Sequence, residues 1–370
     1  MSSEELSPEE LIARLSYQSR PILNGMISIS KPAKRSAIQR DPSSSSLGLL
    51  DRIPLELLHL ILVMLDFQSL LRVSRVSLLG QVVVQSLPAY RDLMEHAPHT
   101  LAALGQTRLI GLHTATVLHA TLLSELCISC EEYGAFLFLP TCERCCYECL
   151  HRNQSLWVIP TALAGKCFDL MPHQLKEIPT MRSVPGVYSV GHRISRQRRL
   201  RLTSVKAAKE LGTKVHVSME NIAKTPNASR GGKITEKEFY MFQWLQNAPL
   251  QPLGRDPSML PTKENTPSDD FCGMASVPFP SLMPNKELES GLWCRGCEQT
   301  FERYRLGYLG YNAVSDSMPP GCDPLRVLLG MQRRARSKAE FLEHIKYCHG
   351  ARELVPDLWL GRNQNAHYIA

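Results

Sequence analysis

The sequence LLDRIPLELLHLILVMLDFQSLLRVSRV, residues 49–76, decides the fold of the N-terminal half of the chain. Asp51 is a candidate helix cap, and Pro54 suits a first helical turn because its missing N–H has no partner there. Glu56 then lies near the positive end of the helix dipole, where a carboxylate is favourable. These features predict a helix that begins near residue 54.

The predicted helix is apolar on two faces. Leu57, Ile61 and Leu65 share one face, and Leu58 and Leu62 form an adjoining one. A second, shorter helix is predicted from Leu70, Leu71, Val73 and Val76. Because a two-helix hairpin buries too little apolar surface to fold alone, we expect part of this surface to be offered to another protein.

The same segment resembles the F-box, a pattern of spaced leucines around an apolar-Pro-x-Glu turn. The matching positions are Leu50, Ile53, Pro54, Glu56, Leu57, Ile61, Leu65, Leu70, Val73 and Val76, although Ser77, Leu78, Leu79 and Gly80 stand where an aromatic residue is frequent. The resemblance implies that Leu50, Ile53, Pro54, Leu57 and Ile61 pack on the Skp adaptor subunit, which links F-box proteins to a cullin. The alternative is an ordinary buried hairpin of a helical domain.

Six cysteines are concentrated in CISCEEYGAFLFLPTCERCCYEC, residues 127–149, as three pairs with two residues between the partners. A two-residue spacer lets one turn direct both thiolates to a single ion, and two such turns complete the tetrahedral shell of structural zinc. We predict ligation by Cys127, Cys130, Cys146 and Cys149. The intervening residues 135–139 read as a strand of a small hairpin.

Other uses of these cysteines stay open. Cys142 and Cys145 would be spare thiols or alternate ligands under the preferred assignment. Buried free cysteines or a redox pair are the alternatives to zinc. A RING-type ligase would need about eight ligands in two interleaved sites, and His151 follows the six cysteines closely enough to keep that hypothesis open.

A second constellation lies near the C-terminus. Cys294 and Cys297 form another paired turn in LWCRGCEQTF, and SKAEFLEHIKYCHG places His344 and Cys348 four residues apart, on one face of a predicted helix. These residues make a zinc site of three cysteines and one histidine, with a long insertion between its halves. His349 is the second choice for the position of His344 or Cys348.

Composition limits the compartment and the class of protein. The chain has 370 residues, of which 44% are hydrophobic, twelve cysteines and a net charge of +7. Its first residues lack the apolar core of a signal peptide, and its longest apolar run is too short for a bilayer. We therefore expect a reducing compartment, cytoplasmic or nuclear, and no membrane span.

The predicted fold class is mainly α with small β elements: an N-terminal F-box helical hairpin followed by zinc-stabilised irregular α+β modules. The predicted segments are 1–46, a disordered tail; 47–90, the F-box; 91–190, a helical segment and the four-cysteine zinc hairpin; 191–248, a basic helical segment; 249–290, a Pro/Ser-rich linker; 291–355, the C-terminal zinc module; and 356–370, a tail. The last module ends in a helical run from Leu325 to about Leu354.

The basic segment contains Arg193, Arg196, Arg198, Arg199, Arg201, Lys206 and Lys209, which read as one helix. Such runs are more often solvated faces than nucleic-acid sites, and no aromatic residues interleave with this one. Nucleic-acid binding is therefore not favoured. No Gly-rich phosphate loop, GxSxG or HExxH motif occurs, and we predict no catalysis by this chain.

The motifs CISC, RCCYEC, GLWCRGC and RRARS followed by FLEH resemble those of a group of fungal F-box proteins over most of residues 46–355. The resemblance implies a non-catalytic adaptor that binds the Skp subunit through its F-box and an unknown protein client through its zinc-stabilised region. The alternative is a zinc-binding nuclear or nucleic-acid-binding regulatory protein without ligase association.

Overall fold

The computed structural model describes residues 6–17, 45–187, 195–196, 198–216, 236–248, 271–315 and 318–355. Most of the predicted N-terminal tail (18–44), the first part of the predicted linker (249–270) and the predicted C-terminal tail (356–370) lie outside these residues. The described chain is mainly helical with small antiparallel sheets, which confirms that part of the predicted fold class.

A stack of short helices forms the N-terminal half. These helices are α2 (Leu55–Val63), α3 (Phe67–Val76), α4 (Leu78–Ser86), α5 (Pro88–His96), α6 (Pro98–Thr107) and α7 (Ala115–Leu123). Proline begins α5 and α6, and Asp66 caps α3 by accepting the Ser69 N–H at 2.9 Å. Phe67 is fully buried and stacks on Tyr90 with 5.1 Å between the ring centroids, which fixes α3 against α5.

The start of α2 differs from its prediction. Asp51 lies in a 3₁₀ turn, Gly48–Arg52, and its carboxylate accepts the Leu47 N–H at 2.9 Å instead of capping α2. Pro54 is the residue before the first helical turn, and no side chain caps α2. Its fixed φ therefore sets the angle at which the chain enters the helix.

The middle of the chain forms two small three-stranded sheets. One has the order β3-β2-β9, from β2 (Phe136–Phe138), β3 (Glu143–Cys145) and β9 (Ser276–Pro278), so the predicted strand of residues 135–139 is present. The other has the order β4-β8-β5, from β4 (Val158–Pro160), β5 (Thr180–Arg182) and β8 (Arg201–Ser204). A separate pair joins β6 (Gly186–Val187) to β7 (Ser195–Arg196).

Short helices surround these sheets: α8 (Tyr147–Arg152), α9 (Thr161–Cys167), α10 (Val205–His216), α11 (Glu236–Gln246) and α12 (Cys272–Ala275). The predicted basic helix is wrong in its first part, because Arg201 begins strand β8 and helix α10 starts only at Val205. Leu202 of β8 and Val205 at the start of α10 are both buried, so the core holds this segment at the point where the strand passes into the helix. Arg193 lies outside the described residues.

Strands β10 (Ser281–Leu282) and β11 (Leu288–Glu289) pair with each other, and Leu282 packs in the larger core. The C-terminal module that follows contains β12 (Trp293–Cys294), α13 (Arg295–Arg305), α14 (Pro324–Arg333), α15 (Lys338–Ile345) and α16 (His349–Leu354). The predicted helical run from Leu325 to Leu354 is therefore three helices. Ser337 interrupts it by capping α15 through a capping box with Glu340.

The N-terminal residues belong to this C-terminal module. Helix α1 (Pro8–Leu15) packs on α15, and β1 (Ser16–Tyr17) pairs antiparallel with β12. Leu15 is 1% exposed, so residues 6–17 are not the disordered tail that the sequence predicts. The apolar side chains of α1 pack against residues of the C-terminal module, far away in the sequence.

The predicted linker, residues 249–290, extends too far, because its last part is folded. Residues 271–290 contain α12, β9, β10 and β11, and Val277 pairs with Leu137 in the sheet of the cysteine-rich hairpin. Val277 and Phe279 are buried, which explains why this Pro- and Ser-rich segment joins the core. None of the described helices is long and apolar enough to cross a membrane.

Candidate metal centres

The first centre joins a turn to the beginning of a helix. Cys127 and Cys130 lie on the turn that follows α7, where the Cys127 N–H donates to the Glu132 carbonyl at 2.7 Å. Cys146 caps α8, and Cys149 lies in its first turn. The β2–β3 hairpin brings these halves together, because the Ile128 N–H donates to the Arg144 carbonyl at 2.8 Å.

The four sulfur atoms are arranged for one ion. The Sγ atoms of Cys127, Cys130, Cys146 and Cys149 all lie within 4.8 Å of one another. Cys130 Sγ and Cys146 Sγ are 3.6 Å apart, close to the edge of about 3.8 Å that Zn–S bonds of about 2.3 Å give in a tetrahedron. That distance is far too long for a disulfide of about 2.05 Å.

Backbone N–H groups donate hydrogen bonds to two sulfur atoms of the centre, which favours their thiolate form. The Ser129 N–H donates to Cys127 Sγ and the Cys149 N–H donates to Cys146 Sγ, each at 3.4 Å. Hydrogen bonds from Cys130, and then from Cys146 and Cys149, hold the pKa of the Cys127 thiol well below its usual range. The centre can therefore lose its first proton easily and hold one metal ion.

Cys142 and Cys145 lie outside this group of ligands. Cys142 Sγ faces the Leu139 carbonyl at 3.9 Å, and Cys145 Sγ faces the Phe136 carbonyl at 3.6 Å. Burial raises the pKa of the Cys142 thiol well above its ordinary value, so this cysteine stays protonated. Neither cysteine belongs to the group of four, and within the described residues the cluster has no second interleaved set of ligands of the RING type.

The second centre is built from four separate elements. Cys294 ends β12, Cys297 lies in the first turn of α13, His344 lies in the last turn of α15, and Cys348 precedes α16. Cys348 Sγ is 3.8 Å from the Sγ atoms of both Cys294 and Cys297. His344 Nε2 is 3.1 Å from Cys297 Sγ.

The protonation state of this centre also suits a metal ion. Burial is the main reason that the pKa of His344 is lowered, which favours the neutral imidazole that binds metals. Hydrogen bonds from Cys297 and Cys348 hold the pKa of the Cys294 thiol far below its usual range. The two thiols and the imidazole around it can complete the shell of one ion.

The helix predicted to carry both His344 and Cys348 is shorter than expected. Helix α15 ends at Ile345 and Cys348 lies beyond it, but the Cys348 N–H still donates to the His344 carbonyl at 3.1 Å, which keeps the two residues one turn apart. The turn that follows α15 places Cys348 Sγ 3.8 Å from Cys294 Sγ. His349, the second choice, begins α16 and is not part of the ligand group.

Sequence reasoning missed Arg144, which supports the first centre. Its buried guanidinium donates to the carbonyls of Gly134 at 2.6 Å, Pro280 at 2.7 Å, Phe279 at 3.0 Å and Thr121 at 3.1 Å. Burial lowers the pKa of Arg144 to about 10, so the side chain is still charged at neutral pH. Its neighbours are distant in sequence, and no local pattern signals its role.

An ion pair joins the two candidate centres, and a backbone bridge braces the second one. Arg333 of α14 contacts Glu148 of α8 at 3.4 Å and lies over the Tyr147 ring. Leu292 and Arg336 exchange backbone hydrogen bonds of 2.9 and 3.0 Å beside the second centre. The metal centres are thus parts of one connected region.

Known proteins supply no further guide to this region. No family model matches the chain, and no curated protein or solved structure matches it.

Proposed function

We propose that this chain is a non-catalytic F-box adaptor of a cullin-type ubiquitin ligase. In this proposal α2 binds a Skp subunit, which connects the chain to a cullin. The region around the two centres, each holding a structural zinc ion, binds a protein client. The chain then acts by holding the client near the ligase, and ubiquitin transfer occurs on other subunits.

The observation that carries the proposal is the exposed apolar surface of α2. Leu58 and Leu62 are 4% and 3% exposed and anchor the helix to the core, whereas Leu57 and Ile61 are 52% and 48% exposed. Leu60 and Met64 have the helical spacing that continues this surface, and Leu49, Leu50 and Leu55 are also exposed near the start of α2. Contiguous exposed apolar surface of this kind marks a protein interaction site.

The five residues expected to contact a Skp subunit are all accessible. Leu50, Pro54, Leu57 and Ile61 are exposed, and Ile53 is half-buried. The alternative of a hairpin sealed inside its own fold is therefore not supported. The His59 ring and the Ser86 hydroxyl are 2.9 Å apart and attach α2 to α4, which gives the exposed face a rigid support.

Zinc is the metal that fits both ligand sets. Structural zinc prefers four-coordinate shells of four cysteines, or of three cysteines and one histidine, and the described clusters supply these sets without carboxylate or carbonyl oxygens. Because the ligands of each centre come from separate elements, the free energy of metal binding would also be folding free energy for this region.

A co-purification experiment with the full chain tests the adaptor function. The native chain should retain a Skp subunit, and Leu57→Asp should lose it because a carboxylate would be buried in an apolar interface. Leu123→Asp is the matched control, since Leu123 on α7 is also 52% exposed. Thermal unfolding should give similar midpoints for both variants.

The outcome separates the adaptor from its rival. If the native chain fails to retain a Skp subunit, or if both aspartate variants retain it equally, the adaptor proposal is wrong. A zinc-binding nuclear or nucleic-acid-binding regulatory protein without ligase association would then be the better interpretation.

A further inference from the structure

Four exposed arginines lie together at the end of the β4-β8-β5 sheet. We call Arg182, Arg198, Arg199 and Arg201 the arginine surface. Within the described residues, none of them has an acidic partner within ion-pair distance, whereas nearby Lys206 pairs with Glu143 at 3.3 Å. The arginine surface is therefore a concentration of positive charge that the described part of the chain does not neutralise.

Arg182 and Arg201 are direct cross-strand partners in the antiparallel pairing of β5 with β8. The neighbouring pair is hydrogen-bonded, since the Ser183 N–H donates to the Leu200 carbonyl at 2.9 Å. The Arg182–Arg201 pair is then of the non-hydrogen-bonded type, in which the Cα atoms are about 4.5 Å apart and the side chains are closest. Both arginines project from the same face of the sheet.

This arrangement is unfavourable for the free protein. Like charges directly opposite each other on two strands destabilise a sheet. The alternation of the strands explains the direction of both side chains, because the adjacent pair, Met181 and Leu202, is buried in the core. The fold thus holds two exposed arginines directly opposite each other on neighbouring strands.

The backbone that carries the arginine surface is held in place. Ser183 is 1% exposed, and its hydroxyl accepts the Leu200 N–H at 2.7 Å and faces the Arg198 carbonyl at 3.4 Å. Val184 follows and donates its N–H to Met274 Sδ at 3.1 Å, which ties this edge to α12. A ligand would therefore meet arginines whose backbone positions are already fixed, although their side chains still have to be ordered.

We propose that the arginine surface binds a phosphate monoester carried on a polypeptide. A guanidinium presents a planar fork of N–H donors that matches phosphate oxygens in pairs, and two adjacent forks match a compact dianion. The bound phosphate would also relieve the repulsion between Arg182 and Arg201. The binding chemistry stands on this geometry, and only the naming of that polypeptide as the client rests on the proposed adaptor function.

A phosphorylated polypeptide fits better than a nucleic acid. Single-stranded nucleic acids are bound by basic grooves with aromatic side chains on which bases stack. Residues 180–183 and 198–204 contain no aromatic residue, and the other exposed or half-buried positions among them are uncharged. Among these described residues, the positive charge lies on the four arginines of the arginine surface, with no aromatic side chain between them.

The test uses the full chain and a degenerate peptide pool with one central phosphoserine, labelled for fluorescence anisotropy. We expect binding at least about tenfold tighter than that of the same pool with serine, as hydrogen bonds between charged groups allow. Inorganic phosphate should compete, and sodium chloride at equal ionic strength should compete less.

The variant Arg182→Gln with Arg201→Gln should lose the preference for phosphoserine. The matched control is Arg72→Gln with Arg326→Gln, which removes the same charge from two exposed arginines on other elements. The thermal midpoint of the first variant should equal or exceed that of the native chain, because the like-charge pair is removed.

Three outcomes would overturn the proposal. The phosphoserine pool could bind no better than the serine pool, or both double variants could lose binding equally. A single-stranded oligonucleotide could bind more tightly than the phosphoserine pool in the same Arg182- and Arg201-dependent way, which would assign the surface to nucleic acid. No arm contains a Skp subunit, so this test and the adaptor test can fail independently.

Discussion

Gly296 and Gly350 face each other where helices α13 and α16 cross, and neither position has room for a side chain. A Cβ on Gly296 would lie 2.8 Å from the carbonyl carbon of Gly350 and 2.9 Å from Ala351 Cα. Cys297 follows the first glycine and Cys348 precedes the second by two residues. The close backbone approach therefore helps to bring the Sγ atoms of these two candidate ligands to 3.8 Å.

Gly296→Ala should destabilise the second centre. The obstructing atoms belong to the backbone of α16, so the helices must separate, and overpacking of this kind costs about 1–3 kcal/mol or more. Urea unfolding and the zinc content of the purified protein measure the effect. Gly330→Ala in α14 is the control, because its Cβ meets nothing within 4 Å and should stabilise the helix by about 0.5–1 kcal/mol. Equal behaviour of the two variants would contradict the crossing argument.

Local spacing allowed the sequence to predict the residues that the structure brings together in both centres. Pairs such as Cys127 and Cys130 need only one turn, and that turn is encoded within a few residues. Non-local features had no comparable signal: the pairing of Ser16 with Cys294 and of Val277 with Leu137 joins segments that are far apart in the chain. The apolar pattern also continues beyond the end of α15. The sequence therefore predicts one helix at a point where the chain in fact turns toward Cys294.

Cys130→Ser should reduce the metal content from two zinc ions per chain to one. The variant removes one of the four candidate ligands from a centre whose parts a zinc ion would hold together. Cys142→Ser is the matched control, since that buried thiol faces the Leu139 carbonyl and not the cluster. Metal analysis after gel filtration measures both. Two ions in both variants would exclude Cys130 as a ligand.

Arg144→Met should destabilise the cysteine-rich hairpin strongly. The methionine fills similar space but leaves the carbonyls of Thr121, Gly134, Phe279 and Pro280 without their donor. Unsatisfied buried carbonyls cost about 1–3 kcal/mol each, so a loss of about 3 kcal/mol or more is expected in urea unfolding. The exposed Arg75→Met should change stability by no more than about 0.5 kcal/mol. An equally small loss of unfolding free energy in Arg144→Met would contradict the claim that Arg144 supports the hairpin.

The ionised carboxylate of Asp92 should stabilise the helical half, so the free energy of unfolding should fall at low pH. Burial alone would raise the pKa of this carboxyl, but hydrogen bonds from His119 at 2.9 Å and Lys286 at 3.3 Å lower it overall. A lowered folded-state pKa stabilises the protein above the ordinary aspartate range, and this stabilisation is lost as the pH falls through the folded pKa. Asp92→Asn should cost about 1–3 kcal/mol at neutral pH and less in acid. The free energy of unfolding measured against pH checks this, and a constant difference would contradict it.

Residues 6–17 should slow the release of metal from the second centre. Strand β1 pairs with the strand that carries Cys294, the Ser16 carbonyl accepts from Arg295 Nε at 3.0 Å, and Leu15 is buried beside the ligands. Removing the side chain of a buried leucine costs about 2–5 kcal/mol, so Leu15→Ala should loosen this attachment. Arg14→Ala, at an exposed position of the same helix, is the control.

The measurement is the rate of zinc transfer to a chelator, which should have two phases in the native chain. Leu15→Ala should accelerate only the phase of the second centre, which Cys348→Ser identifies by abolishing it. The phase of the first centre serves as an internal reference, because residues 6–17 contribute nothing to its four ligands. If both phases accelerate equally, the substitution acts on global stability, and the N-terminal strand has no specific role at the metal.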